Sequence, residues 1–574
     1  MGTRVEGQRE IDDATVASYR AKGWWRGDRT HLDDFLDHVA NQPDAVAVVS
    51  VHADGRPTER HTYAELERLT RRCAAAFIEL GVQPGDVVSM QLPNAWEFPA
   101  IVFGALRAGA TVNPLVPIFR RRELLFILGR TESKALFVVD RYRGFDHAAM
   151  ACELAESGEL PALQHVVVVR STDAGVPVGA VDFLDGFLAS PAASDAAADD
   201  PALLAELERR RRRGDDLIEI QFTSGTTGEP KGVIHSFDTV YSGGRSIGEV
   251  YGLGASDVCF MASTLAHQTG FGFGMLETMG RGMKVVYQDA WQPDQALEVF
   301  VEEGVTWTVG ATTFVMDLVA AQQRSGLQVP AFRLFICGGA AIPPHVVHQT
   351  HEFLGAELVA VWGMTENMIV TTTRVGDPPE LVADSDGTPV DYMEVRIVDE
   401  AGVEVPVGGV GALQVRGPSQ ALGYFKRPDL YAAASPGDGW FDTGDLARRR
   451  PDGGIRISGR TKDLIIRGGE NIPVAEIENL LFTHPVVAEV AVVALPHERL
   501  GEQACAVLTV REGAAAPTLG ELTAFLGEAG MAKQFWPEHL AVVEAMPKTP
   551  SGKIQKFQLR AGLLEGGAVA PASA

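Results

Sequence analysis

Apolar positions recur along the chain with two periods. Thr62-Tyr-Ala-Glu65 has the spacing of a capping box; Leu66, Leu69, Cys73, Phe77 and Leu80 then return on one helical face until Gly81 stops the helix. Between such helical stretches lie short, β-branched apolar runs at 135–139, 166–169, 217–222, 285–287, 334–337 and 358–362. Strands alternating with helices predict an α/β fold: a large N-terminal domain with mostly parallel sheets flanked by helices. No fixed-period repeat interrupts this pattern.

The texture changes near residue 390. Runs at 395–398 and 412–415, separated by Gly-rich turns, predict a small β-rich subdomain over about 390–458. A second shift falls at 458–463. Beyond it a helix at 475–482 and strands at 490–494, 504–509 and 541–543 predict a smaller α+β C-terminal domain. The expected division is 1–458, a connection at 459–463, and 464–574, with 566–574 frayed. Residues 189–200, rich in Ala, Ser and Asp, read as a flexible surface loop. The five arginines Arg209–Arg213 read as a solvated helix C-terminus complementing its dipole, rather than as an anion-binding patch.

Composition narrows the function classes. The chain of 574 residues is 46% hydrophobic and 22% charged, which excludes wholesale disorder and fibrous repeats. Its net charge of −25 repels phosphate backbones, so no nucleic-acid partner is expected. Five scattered cysteines, Cys73, Cys152, Cys259, Cys337 and Cys505, include no CxxC pair and argue against disulfides and a zinc site. The first ten residues carry no apolar signal segment, and Glu6 stands where myristoylation needs Ser or Thr. No apolar run reaches about 18 residues, so no membrane span is expected and the protein should be cytoplasmic.

The sharpest chemical signal is Thr223-Ser-Gly-Thr-Thr-Gly-Glu-Pro-Lys-Gly232, directly after the apolar run 217–222. Its glycines let backbone N–H groups approach an anion, its hydroxyls add donors and Lys231 adds charge, which together make a phosphate cradle. It is not a Walker A loop, because Pro230 and Gly232 stand where that pattern needs Gly and Ser/Thr.

This segment resembles the signature loop of the adenylate-forming superfamily. Val361-Trp-Gly-Met-Thr-Glu366 resembles its adenine-and-magnesium motif, and Phe441-Asp-Thr-Gly-Asp445 its ribose motif. Ser458-Gly-Arg-Thr-Lys-Asp463 resembles its interdomain hinge, and Pro547-Lys-Thr-Pro-Ser-Gly-Lys553 its catalytic-lysine motif. The resemblance covers roughly residues 30–560 and looks closest to short/medium-chain or alicyclic acyl-CoA synthetases.

The resemblance implies ATP-dependent activation of a small carboxylic acid, or a comparable small oxyanion, to its adenylate with release of pyrophosphate, then transfer to the thiol of CoA. Thr223, Ser224, Gly225, Thr226, Thr227 and Lys231 would hold the β- and γ-phosphates. Glu366, with Thr226, would ligate Mg2+, and Thr365 would bond the α-phosphate. Trp362 and Gly363 would lie at the adenine, beside which Gly338, Gly339 and Ala340 bring backbone close. Asp445 would accept both ribose hydroxyls, helped by Arg460. Lys553 would bridge the attacking carboxylate and the α-phosphate. The C-terminal domain is then mobile, swinging about Lys462 so that Gly468 and Gly469 line a thiol channel. Leu265-Ala-His-Gln-Thr-Gly-Phe271 resembles the loop beside the acyl pocket, where His267 shapes or gates the pocket or is a satisfied core histidine.

One departure bears on the acceptor. Pro473 and Val474 stand in the CoA-channel loop where relatives commonly differ, and Pro removes an N–H. The alternatives to CoA are a carrier protein, an amine, or nitrite activation for diazotisation of an aryl amine. A catalytically silent binding relative is disfavoured, since Lys553, Glu366 and Asp445 are all present.

Overall fold

The computed structural model describes residues 5–170, 175–223, 230–339, 342–460, 465–467, 470–497, 500–531, 533–548, 553–566 and 570–571. Among these, two large sheets face each other across a layer of helices.

The first sheet runs Thr388–Pro389, Met368–Thr372, Glu357–Met364, Leu334–Gly338, Trp307–Gly310, Val258–Met261, Lys284–Gln288, Val46–Val51, Glu59–Thr62. Its six central strands are parallel and its edges antiparallel. The second runs Gly423–Tyr424, Lys231–Ser236, Leu217–Thr223, Thr111–Pro114, Val87–Gln91, Ala135–Val139, His165–Val169, Val181–Asp182. It is parallel apart from the first two strands.

Helices Tyr63–Glu79, Glu97–Arg107, Phe237–Tyr251 and Thr269–Glu277 fill the space between the sheets, contributing the buried rings of Phe77, Phe103, Phe237 and Phe271. Pro293–Glu303, Thr312–Ser325 and Pro344–Leu354 cover the outer face of the first sheet. Arg121–Thr131 and His147–Glu156 cover that of the second. Strands buried on both faces need continuous apolar runs, which is the pattern the sequence carries. The capping box forms: Glu65 N–H donates to Thr62 Oγ1 at 3.2 Å, and Thr62 N–H to the Glu65 carboxylate at 2.8 Å.

A four-stranded antiparallel sheet follows, ordered Glu394–Val398, Val410–Arg416, Phe441–Arg449, Ile455–Arg460. The smaller C-terminal domain has its own mixed sheet, built around Val487–His497, Gly501–Val510 and His539–Val542. Helices Val474–Phe482, Leu519–Glu528 and Lys556–Leu564 accompany it. No helix among the described residues is long and apolar enough to cross a membrane.

Three expectations are corrected. Residues 189–200 are not a loose loop: they form a turn at Pro191–Ala193 and a short helix Asp195–Ala198, with Ala193 and Ala198 buried and Arg72 bonding the Ala193 carbonyl. Small side chains let this segment pack tightly onto the helix Tyr63–Glu79. The arginine run is only half solvated. Arg210 reaches the carbonyls of Val82 and Ala108, and Arg212 those of Gly109 and Leu217, so alternate side chains satisfy the ends of other elements. Near the C-terminus, Ala570–Pro571 pair with His539–Leu540 and add an edge strand to a segment expected to fray.

Candidate active site

The hydroxyl- and glycine-rich segment connects two antiparallel strands. Thr223 ends Leu217–Thr223, Lys231 opens Lys231–Ser236, and the two are cross-strand partners. The segment between them therefore links two paired antiparallel strands rather than a strand and a helix. Ser224, Gly225, Thr226 and Thr227 lie outside the described residues, as do Ala340, Lys462, Gly468 and Gly469.

Beside the hairpin, the strand Glu357–Met364 turns back into Met368–Thr372, and the turn carries Thr365 and Glu366, both buried. Gly363 suits this approach, since a Cβ there would strike the Met368 carbonyl oxygen at 2.0 Å. His235, on the strand that follows the cradle, donates from Nε2 to the Thr365 carbonyl at 2.7 Å and meets Thr239 Oγ1 through Nδ1 at 3.0 Å. A carbonyl can only accept, so Nε2 carries the proton. Burial lowers the His235 pKa to about 4, which keeps the ring neutral. The Glu366 carboxylate accepts a 2.7 Å hydrogen bond from the Tyr424 hydroxyl. The Lys231 ammonium lies 4.8 Å from the centroid of the same tyrosine ring.

The ribose candidate is held from two sides. Asp445 and Arg460 are cross-strand partners in the small antiparallel sheet. Arg460 Nε donates to Asp445 Oδ1 at 2.9 Å, and Trp362 Nε1 donates to Oδ2 at 3.1 Å. Both oxygens of a nearly buried carboxylate are thus fixed in place, and the Trp362 indole reaches the ribose candidate through its N–H as well as lying at the end of its strand.

Lys553 comes from the other domain. Its Cε lies 3.5 Å from where a Cβ on Gly339 would stand, and Gly339 has φ +84, the left-handed region that glycine enters freely. At Gly338 a Cβ would meet the Val361 carbonyl at 2.7 Å. Lys553 keeps one side open to solvent. Desolvation against the cleft wall and then the Arg460 charge pull its pKa below the ordinary lysine value, while Asp445 and Glu366 pull it back. His267 also feels the lysine: burial, then the Lys553 charge, lower its pKa to about 4. Its carbonyl accepts from Phe271 N–H, opening the helix Thr269–Glu277.

Lys231, Thr365, Glu366, Trp362, Asp445, Arg460, Lys553, Gly339 and His267 thus converge on one cleft from three sheets and the loops between their strands. Two contributors escaped the sequence reading. Tyr424 belongs to a two-residue strand too short to show a period, and His235 sits in an apolar strand like any core residue.

A buried acid, a doubly held aspartate and a lysine from a second domain thus gather beside the hairpin. The chain belongs to the family described as AMP-binding enzyme, which it matches over residues 35–425, with the AMP-binding enzyme C-terminal domain matched over 476–553. It is an AMP-forming ligase of the adenylate-forming superfamily. It is 34% identical over 548 residues to the medium-chain fatty-acid–CoA ligase of Escherichia coli (strain K12), covering 96% of this chain and 93% of the relative. It is also 34% identical to the salicyl-AMP ligase / salicyl-S-ArCP synthetase of Mycobacterium tuberculosis, covering 94% and 92%. The structure of ATP-bound MatB from Rhodopseudomonas palustris superposes with a TM-score of 0.75 at 25% identity, covering 93% and 98%.

Proposed function

We propose that this chain activates a small carboxylic acid with ATP, forming the acyl-adenylate and pyrophosphate, and passes the acyl group to the thiol of CoA. The observation that carries the reading is the position of Lys553, against Gly339 and within the fields of Asp445, Arg460 and Glu366.

In the first half-reaction a carboxylate oxygen attacks the α-phosphorus and the bond to pyrophosphate breaks. Both reactants are anions, so the work is positioning and charge neutralisation. Lys553 brings its ammonium to the carboxylate and the α-phosphate. Asp445 accepts the ribose hydroxyls, its two oxygens already aimed by Arg460 and Trp362. Thr365 bonds the α-phosphate from a turn fixed by His235. Lys231 and the cradle residues take the leaving phosphates.

Magnesium fits the donor set. Among the described residues no group of three or more His, Cys, Asp or Glu gathers to cage a metal, but Glu366 offers a hard carboxylate beside the cradle. One carboxylate plus substrate phosphates is the habit of this ion, which when bound neutralises phosphate charge.

In the second half-reaction the thiol sulfur attacks the acyl carbonyl, AMP leaves and the thiol proton is lost. We place the domain boundary at 459–463, with rotation about Lys462 withdrawing Lys553 and bringing the segment around Gly468 and Gly469 to the site. Pro473 stands at the N-cap position of the helix Val474–Phe482, where no intrahelical N–H bond is lost, so the proline does not oppose a thiol channel. Five free, buried cysteines and the need for ATP suit a cytoplasmic setting.

The test is AMP release across a panel of acids, with and without CoA, plus nitrite with an aryl amine. CoA-dependent turnover of a carboxylic acid is the expected result. Adenylate that accumulates with CoA present, and moves only to a carrier protein or an amine, would replace the acceptor and leave adenylation standing.

A further inference from the structure

We propose that Tyr424 is a positioning residue for the triphosphate and its metal: its hydroxyl aims the Glu366 carboxylate and the face of its ring stations Lys231. This rests on the reading of Glu366 and Lys231 given above.

Tyr424 is 2% exposed, and its O–H is the only hydrogen-bond donor to the Glu366 carboxylate among the described residues. That bond occupies Oε1 and leaves the other oxygen for a cation. Burial, then the Glu366 charge, hold the phenol well above its ordinary pKa, so the hydroxyl remains a donor at any working pH. A carboxylate that accepts a hydrogen bond in this way keeps one rotamer, which a metal needs from a ligand it shares with phosphates. The ring does separate work. An ammonium 4.8 Å from the centroid is within cation–π range, so the phenol face attracts and stations Lys231.

The backbone around the tyrosine is stitched to both partners. Tyr424 pairs with Val233, two residues from Lys231, and Phe425 N–H donates to the Gly232 carbonyl at 2.7 Å. On the other side, Ala421 N–H donates to the Glu366 carbonyl at 2.7 Å, and Ser419 Oγ to the Asn367 carbonyl at 2.9 Å. Tyr431 stacks edge-on at 5.6 Å and donates to the Ala421 carbonyl. Segment 419–425 is therefore a splint between the strand that leaves the cradle and the turn that carries Glu366. A tyrosine needed only to fill space would not require its polar end to face a buried acid and its ring face to meet a lysine.

Two substitutions separate the roles. Tyr424→Phe keeps the ring and removes the donor. It should raise the magnesium concentration for half-maximal adenylation about tenfold, the scale of losing an outer partner of a metal ligand. The KM for the acid should stay within twofold. Mn2+ binding in the presence of a non-hydrolysable ATP analogue, followed by electron paramagnetic resonance, should weaken in parallel. Tyr424→Leu removes the ring as well and should also raise the KM for ATP and for pyrophosphate in exchange.

Glu366→Gln is the reference. If it leaves Mn2+ binding unchanged, the reading of Glu366 fails. If it weakens binding while Tyr424→Phe binds Mn2+ and responds to magnesium like the native protein, this proposal is overturned and the reading of Glu366 survives. Should Tyr424→Phe fail to fold, 4-fluorophenylalanine at 424 keeps the shape of the side chain and still removes the donor. Mn2+ binding should then weaken about tenfold, and binding equal to that of the native protein overturns the proposal equally.

Discussion

Arg460 and Asp445 stand opposite each other on adjacent antiparallel strands, Nε to Oδ1 at 2.9 Å, and the same carboxylate takes a second bond from Trp362 on a different sheet. The acid is thereby oriented before any nucleotide arrives. Trp362→Phe keeps the bulk and removes one donor. The KM for ATP should rise about tenfold, the scale of one hydrogen bond to a charged group, with the KM for the acid unchanged. Steady-state kinetics with each substrate varied in turn checks this; an ATP KM equal to the native value removes Trp362 from the ribose clamp.

Lys553→Ala should lower acid-dependent pyrophosphate exchange by about 10²-fold or more, the loss expected for one preorganised charge donor. Supplied with preformed acyl-adenylate, the variant should still form thioester at a rate near that of the native protein. Equal damage to both half-reactions would count against domain alternation.

Glu219 is fully buried on the strand leading to the cradle, and among the described residues neither carboxylate oxygen has a hydrogen bond of good geometry. Burial raises its pKa from 4.5 to about 8. The folded state therefore holds a proton that the unfolded state releases above pH 4.5, so stability is lost as pH climbs between those values and levels off above the upper one. Relative to Glu219→Gln, the native protein should lose about 1.4 kcal/mol per pH unit across that window. Urea unfolding at several pH values measures the difference, and a pH-independent gap would show the carboxyl to be solvated in the folded state.

Arg170 and Glu97 form a doubly hydrogen-bonded, largely buried pair, with contacts of 2.7 and 3.0 Å. Arg170→Ala strands the glutamate, and should cost about 3–5 kcal/mol of stability. Pairing Arg170→Met with Glu97→Leu should recover most of it, because breaking a buried pair costs more than replacing it. Thermal unfolding of the two variants side by side tests both statements.

The sequence pattern reveals the parts of this molecule whose causes are local. The capping box at Thr62–Glu65 and the apolar strands before the cradle depend on neighbours within a few residues, and each forms where the pattern puts it. The motifs also mark the cleft: Thr223 and Arg460 end strands, Glu366 sits in the turn between two, and Asp445 lies mid-strand opposite Arg460. What the pattern does not reveal depends on partners far along the chain. Tyr424 meets a glutamate 58 residues away, and Arg210 satisfies carbonyls more than a hundred residues earlier. The helix Thr269–Glu277 escapes for another reason: glycine is a poor helix former, yet Gly272 is needed where Met368 presses, Gly274 where Met261 does, and Gly270 against the Thr264 carbonyl.

Arg460 closes the last strand of the small sheet and lies inside 459–463, the segment proposed as the pivot. On the proposed reading, one arginine would serve both the grip on the sugar and the root of the moving lobe. Loosening it would then unsettle the timing of the cycle as well as the affinity for the fuel.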